Sequence, residues 1–133
     1  MKFNRVTPEI IDRLREIVGE GYVSTRLEDL EKYGLDETEE RYRHLPEVVV
    51  KPRTPEEIAT IMKLANNHRI PVTPRGAGTG LSGGAVPIYG GIVLSVERMN
   101  EILKIDIYNM MVTVEPDVIL ADMMRAVEAE GLF

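Results

Sequence analysis

Residues 74 to 87 read PRGAGTGLSGGAVP, with Arg75 as the only charged side chain, and seven of the chain's eleven glycines fall between Gly76 and Gly91. Glycine backbone reaches φ > 0 and lets a ligand come close, and successive amide hydrogens can point into one concavity that suits an anion. Phosphate binding by main-chain amides is the chemistry this pattern offers. Arg75 has two possible roles in it, a phosphate contact or an ion pair that ties the loop down. The purely structural alternative for the same glycines is a set of tight turns between closely packed subdomains.

Two well-known phosphate loops share part of this spelling. Gly78, Gly80 and Gly83 match G-x-G-x-x-G, and Glu97 lies about where a ribose-binding acid is sought in dinucleotide folds. Such a turn must run straight into a helix, yet GAVPIYGG, which separates Gly83 from the strand-like IVLSV at 92 to 96, is too short and too rich in proline and glycine for one. An NAD-binding module is therefore disfavoured. The P-loop fails on spelling, since Gly83 is followed by Gly84 and Ala85 in place of Lys and Ser or Thr.

Such a loop needs strands to carry it. EVVVKP reads as a short buried strand, and RTPEEIATIMKLANN as a helix with a Thr54/Glu57 capping box, Pro55 at its first position, and Ile58, Ile61, Met62 and Ala65 on one face. RIPVTP is extended, so residues 47 to 74 are expected to form a strand, helix, strand unit crossing right-handed into a parallel pair. The glycine loop starts where that second strand ends, and ligands of open α/β sheets collect outside the carboxyl ends of strands.

Upstream, Thr7 and Pro8 open a helix with Ile10, Ile11, Leu14, Ile17 and Val18 on one face, and TRLEDLEKYG reads as a second, shorter helix. The acidic run DETEE at 36 to 40 is expected to be solvated, as are His44 and His68. Downstream, EILKID, MMVTVEP and an apolar face of Leu120, Met123, Met124 and Val127 read as strand, strand, helix, with Met110, Met111, Met123 and Met124 as core fillers.

Composition narrows the function classes. A formal charge of −6 and the absence of a basic run argue against a nucleic-acid-binding role. The absence of cysteine excludes disulfides, thiolate catalysis and cysteine-held metal on this chain, and no metal site is expected. MKFNRVTPEIIDRL lacks the apolar core of a signal peptide and no run is long enough to span a membrane, so a cytoplasmic protein is the expectation.

The stretch IPVTPRGAGTGLSGGAVPIYGGIVLSVERMNEILKID at 70 to 106 resembles the FAD-binding domain of the vanillyl-alcohol oxidase and p-cresol methylhydroxylase superfamily. Within it, the resemblance is strongest to glycolate oxidase flavin subunits and D-lactate dehydrogenases. PEVVVKPRTPEEIATIMKLAN and VTVEPDV extend it more loosely. The resemblance implies an α+β fold, a p-cresol methylhydroxylase-type domain in which a small α/β subdomain with parallel strands precedes one with a mainly antiparallel sheet. The expected division is 1–46 as a helical lead-in, 47–91 as the first subdomain with the loop at 74–87, and 92–133 as the start of the second.

By the same resemblance the FAD pyrophosphate lies against Pro74, Arg75, Gly76, Ala77, Gly78, Thr79, Gly80, Ser82 and Gly83. Thr79 stands where relatives with covalent flavin carry histidine, which implies noncovalent FAD. Asp117 departs from a proline-glycine pair, making a left-handed turn there costlier. The chain stops at EAEGLF, before the segments that in such enzymes complete the flavin site and carry the catalytic residues, so a truncated domain is expected, completed by its missing half or by partner subunits. Three charge-assisted amide bonds of about 1.5–3 kcal/mol each, set against an ordering cost of about 4 kcal/mol or more, fall short of the roughly 8 kcal/mol that micromolar affinity requires. Weak or absent FAD binding by this chain alone follows. The implied parent activity is oxidation of a 2-hydroxy acid by hydride transfer to FAD. The alternative is a noncatalytic interaction module, a homo-oligomer through its exposed sheet edge.

Overall fold

The computed structural model describes residues 2–133. Local signals build the helices. Thr7 accepts a hydrogen bond from the Ile10 amide at 3.4 Å and Pro8 opens α1 (Pro8–Val18), which buries Ile10, Leu14 and Val18. Thr54 caps α3 (Pro55–His68) in the same way, accepting from the Glu57 amide at 3.2 Å. The Glu57 carboxylate reaches back to the Arg53 amide at 2.6 Å, one residue earlier than a capping box requires. On α3, Ile61 and Ala65 are buried but Met62 is exposed, because the covered stripe is centred on Ile61 and Ala65 and position 62 falls off its edge. Between these helices, α2 (Leu27–Lys32) covers the first part of TRLEDLEKYG.

Four strands form the first sheet, β1 (Val23–Ser24), β2 (Val48–Val50), β3 (Val72–Arg75) and β4 (Ile92–Ser95), in the order β1-β2-β4-β3. β2 and β3 each run parallel to β4, and β1 is antiparallel to β2. The expected direct pairing of the strands on either side of α3 is thus corrected, since β4 lies between them. Composition explains the order. IVLS is buried along its whole length and takes a place with neighbours on both edges, whereas β3 contains Pro74, which has no amide to donate and suits an edge. β4 also carries this sheet past the 91/92 boundary expected from sequence, and β1 adds a strand to the N-terminal segment read as helical.

Alternation along the strands divides the core. Val48, Val50, Ile92 and Leu94 face α1 and α3, and Val49 and Val93 face the other way, against Tyr33 and Leu30. The second sheet pairs β5 (Ile102–Asp106) and β6 (Met111–Val114) antiparallel, followed by α4 (Leu120–Ala129). Arg53 links the two sheets, its Nη1 donating to Glu115 at 2.8 and 3.0 Å and its Nη2 to Glu101 at 2.7 Å.

The methionines of this second unit do not fill a core. Met110, Met111 and Met124 are exposed, and with Val127, Leu132 and Phe133 they line an open groove. Two strands and one helix cover only one another, so the apolar side chains around them face outward.

Candidate anion site at the carboxyl ends of the parallel strands

β2, β3 and β4 end side by side, with Arg75 opposite Ser95 in the register of the last two. Residues 76 to 91 connect those adjacent parallel strands without a helix. The glycine loop therefore leaves the sheet at its carboxyl end, where the sequence placed it. Pro74, Gly76, Ala77, Thr79, Gly80 and Ser82 are exposed, and Arg75, Gly78 and Gly83 are half-buried. Among the described residues, no amide from Gly76 to Gly84 donates to a backbone or side-chain acceptor of the chain. Exposed amides without internal partners are what a phosphate cradle requires. The residues thus fit an FAD pyrophosphate: bare backbone that admits close approach, and donors left free to meet an anion.

Arg75 is held from below. Its Nη1 donates to the Leu35 carbonyl at 2.7 Å, and its guanidinium carbon lies 5.4 Å from the centre of the Tyr33 ring. The tie is thus to a carbonyl and an aromatic face. Gly78 makes it possible, because at φ 75° a side-chain carbon there would collide with the guanidinium.

Beneath Arg75 lies a charged cluster. The Tyr33 hydroxyl donates to Glu97 at 2.5 Å, the Ser95 hydroxyl to the same carboxylate at 3.0 Å, and the Lys51 ammonium meets it at 2.7 Å. Burial opposes ionisation of Glu97, but Lys51, Tyr33 and Ser95 outweigh it and hold the carboxyl below its usual range. Burial, then Glu97, pushes the Tyr33 hydroxyl up, which keeps it a donor. Asp117 sits at the mouth of the loop, its Oδ1 3.5 Å from where a side-chain carbon on Gly76 would lie. Burial, then the nearby Glu97 charge, pushes its carboxyl above the usual carboxylate range. Asp117 is not among the residues with positive φ, so the costly left-handed turn is not made.

Sequence reasoning missed the support of this loop. Tyr33 and Lys51 were not singled out, and Glu97 was weighed only as a ribose acid. Asp36 was placed in a solvated acidic run, yet it is 7% exposed. Burial disfavours its charge, but the Thr38 amide, donating to Oδ1 at 3.0 Å, and the Ala85 amide keep the carboxyl low. The one available signal was local, the D-x-T spacing of an aspartate-initiated turn. His44 and His68 are exposed and stand apart from the cluster.

The match to known proteins agrees with this geometry. The sequence family described as FAD binding domain covers residues 46–133, and the chain belongs to it. It is 48% identical over 101 residues to the glycolate oxidase subunit GlcD of Bacillus subtilis (strain 168), covering 76% of this chain and 21% of that protein. To the D-lactate dehydrogenase of Anaerostipes hadrus it is 41% identical over 131 residues, covering 98% of this chain and 27% of the relative. In structure it resembles p-cresol methylhydroxylase with substrate bound, with a TM-score of 0.81 at 27% identity, covering 96% of this chain and 26% of that one. These matches support FAD as the cofactor and the p-cresol methylhydroxylase-type α+β fold. The chain spans about a quarter of the length of these relatives. Among the described residues, no helix is long and apolar enough to cross a membrane.

The two perturbed carboxyls at the site give opposite pH signatures. Glu97 is lowered on folding, so its contribution is fully present above about pH 4.5 and fades as pH falls through its lower folded value. Asp117 is raised, so its contribution is present below its unfolded value of 3.8 and is lost as pH rises through the folded one. Thermal melts from pH 3 to 7 are expected to show Glu97→Gln less stable than the parent at pH 7 and Asp117→Asn more stable, with both differences shrinking toward pH 3.

Proposed function

We propose that this chain is the N-terminal part of an FAD-linked oxidoreductase, and that its loop from Pro74 to Gly83 grips the FAD pyrophosphate. The observation that carries the reading is the run of free amides from Gly76 to Gly84 at the carboxyl ends of three parallel strands. In this reading the amides meet the phosphate oxygens, Gly76 and Gly80 give the ligand access to backbone, and Arg75 adds a cation that is already oriented. FAD is held without a covalent bond, since Thr79 offers no nucleophile of the histidine type.

Bound FAD supplies a two-electron acceptor for a small organic substrate, and the names of the relatives favour a 2-hydroxy acid. The residues that act on the substrate lie outside this chain in our reading. Its own contribution is to orient the cofactor and to keep an anion in place on a protein whose net charge of −6 repels one.

Titration calorimetry with millimolar FAD tests the site. Weak binding is expected, with Kd no tighter than about 0.2 mM, since the net gain estimated for the amide contacts is about 1–5 kcal/mol. Riboflavin, which lacks the pyrophosphate, should bind at least about tenfold more weakly, one lost interaction of about 1.4 kcal/mol being sufficient. Arg75→Ala combined with Gly78→Val should abolish FAD binding. Riboflavin binding as well as FAD would contradict the assignment.

A second reading is favoured by one observation, the outward apolar surface of the second sheet. Leu103, Ile107, Met111, Ile119, Leu120 and Met124 are all exposed there. A noncatalytic interaction module, covered by a copy of itself, would bury these groups. Light scattering is then expected to give at least a dimer at high concentration, and a strict monomer would exclude self-association.

A further inference from the structure

We infer that residues 33 to 38 form a brace that sets the shape of the glycine loop, with Tyr33 a positioning residue that acts through Arg75. This segment lies ahead of residues 46–133, the region the family match covers. The brace is argued from geometry alone, while its consequence for FAD rests on the pyrophosphate reading above.

The loop has little of its own to hold it. Its amides from Gly76 to Gly84 make no bonds within the chain among the described residues, and glycine carries the largest backbone entropy. Its shape must come from outside. Apart from Asp117 beside Gly76 and the Val86 amide, which donates to the Gly83 carbonyl at 3.1 Å, the supports come from one short segment. The Tyr33 ring lies under the Arg75 guanidinium, and the Leu35 carbonyl accepts from it at 2.7 Å. The Glu37 amide donates to the Gly80 carbonyl at 3.0 Å. Asp36 Oδ2 and Thr38 Cγ2 lie 3.7 and 3.9 Å from where side-chain carbons on Gly80 and Gly83 would stand.

The segment is itself anchored. Tyr33 is 3% exposed, packed on Val49 and Val93 of the central strands, with its hydroxyl on Glu97. Asp36 is buried, and its bond from the Thr38 amide fixes the turn. A continuous path therefore runs from the sheet through Tyr33 to Arg75, and from Arg75 to the space that Gly78 leaves open. A loop so held has less freedom to lose when an anion binds, which is the benefit of preorganisation.

Nitrogen-15 relaxation on the whole chain, without ligand, tests this. In the parent the Gly78 and Gly80 amides should have order parameters near ~0.85, and in Tyr33→Leu these should fall below ~0.6, while amides of β5 and β6 stay unchanged. Tyr33→Phe keeps the ring beneath the guanidinium and should keep the loop ordered. Arg75→Gln breaks the same contact from the loop side, outside the hydrophobic core, and should reproduce the Tyr33→Leu result. The double variant should fall no further, as expected for two residues acting as one unit.

An unchanged loop in Tyr33→Leu overturns the inference, as does an equal loss of order in β5 and β6. If Tyr33→Leu does not fold, an ordered loop in Arg75→Gln overturns it alone. Riboflavin binding to the parent as well as FAD would strike at the pyrophosphate reading and leave the brace standing.

Discussion

The insertion of β4 between β2 and β3 is the constraint on which the rest of this structure depends. Because β3 and β4 are adjacent and parallel, the chain must return from Arg75 at one end of the sheet to Ile92 at the other. Most parallel connections make that return with a helix. Here a glycine-rich segment makes it, so its first half is left over the carboxyl ends of the strands with unpaired amides. Gly91, at φ 69°, completes the return, packing so closely on Pro71 that no side chain would fit. The placement of the glycine loop over the strand ends is thus a consequence of strand order.

Electrostatics at this site work against the net charge of the protein. Glu97, Asp117 and Asp36 all lie near the loop, and each is handled differently. Glu97 is paired with Lys51 and accepts from two hydroxyls, Asp36 accepts from the Thr38 amide at Oδ1 while its buried Oδ2 has no hydrogen-bond partner among the described residues, and burial raises the Asp117 carboxyl above its ordinary range. What faces outward is a set of amide dipoles and one half-buried arginine, with Asp117 at the mouth of the loop. Amide dipoles fixed by the fold favour an anion without needing a basic surface, so the charge of −6 does not exclude the proposed phosphate contact.

Much of this was legible in the sequence where the information is local. Thr7 with Pro8 and Thr54 with Pro55 marked two helices, the glycine spelling with GAVPIYGG disfavoured a dinucleotide turn, and residues 70 to 106 pointed to the flavin-domain family. Information that depends on distant partners was not legible. Strand order was misread because EVVVKP and RIPVTP look like neighbours until β4 competes for the middle, and β1 is two residues whose ladder is supplied by β2. Asp36 reads as surface in DETEE because acidic runs usually are, yet the fold buries it beside Gly80. Met111 and Met124 read as core because their spacing is right, and are exposed because the second sheet has two strands.

We propose the amides from Gly76 to Gly84 as the chain's contact with FAD. The most direct measurement is an amide chemical-shift titration of the labelled chain with FAD into the millimolar range. The account predicts saturable shifts concentrated at residues 76 to 84, reproduced in part by inorganic pyrophosphate and absent with riboflavin. Shifts centred on β5, β6 and α4 with a silent glycine loop would contradict it.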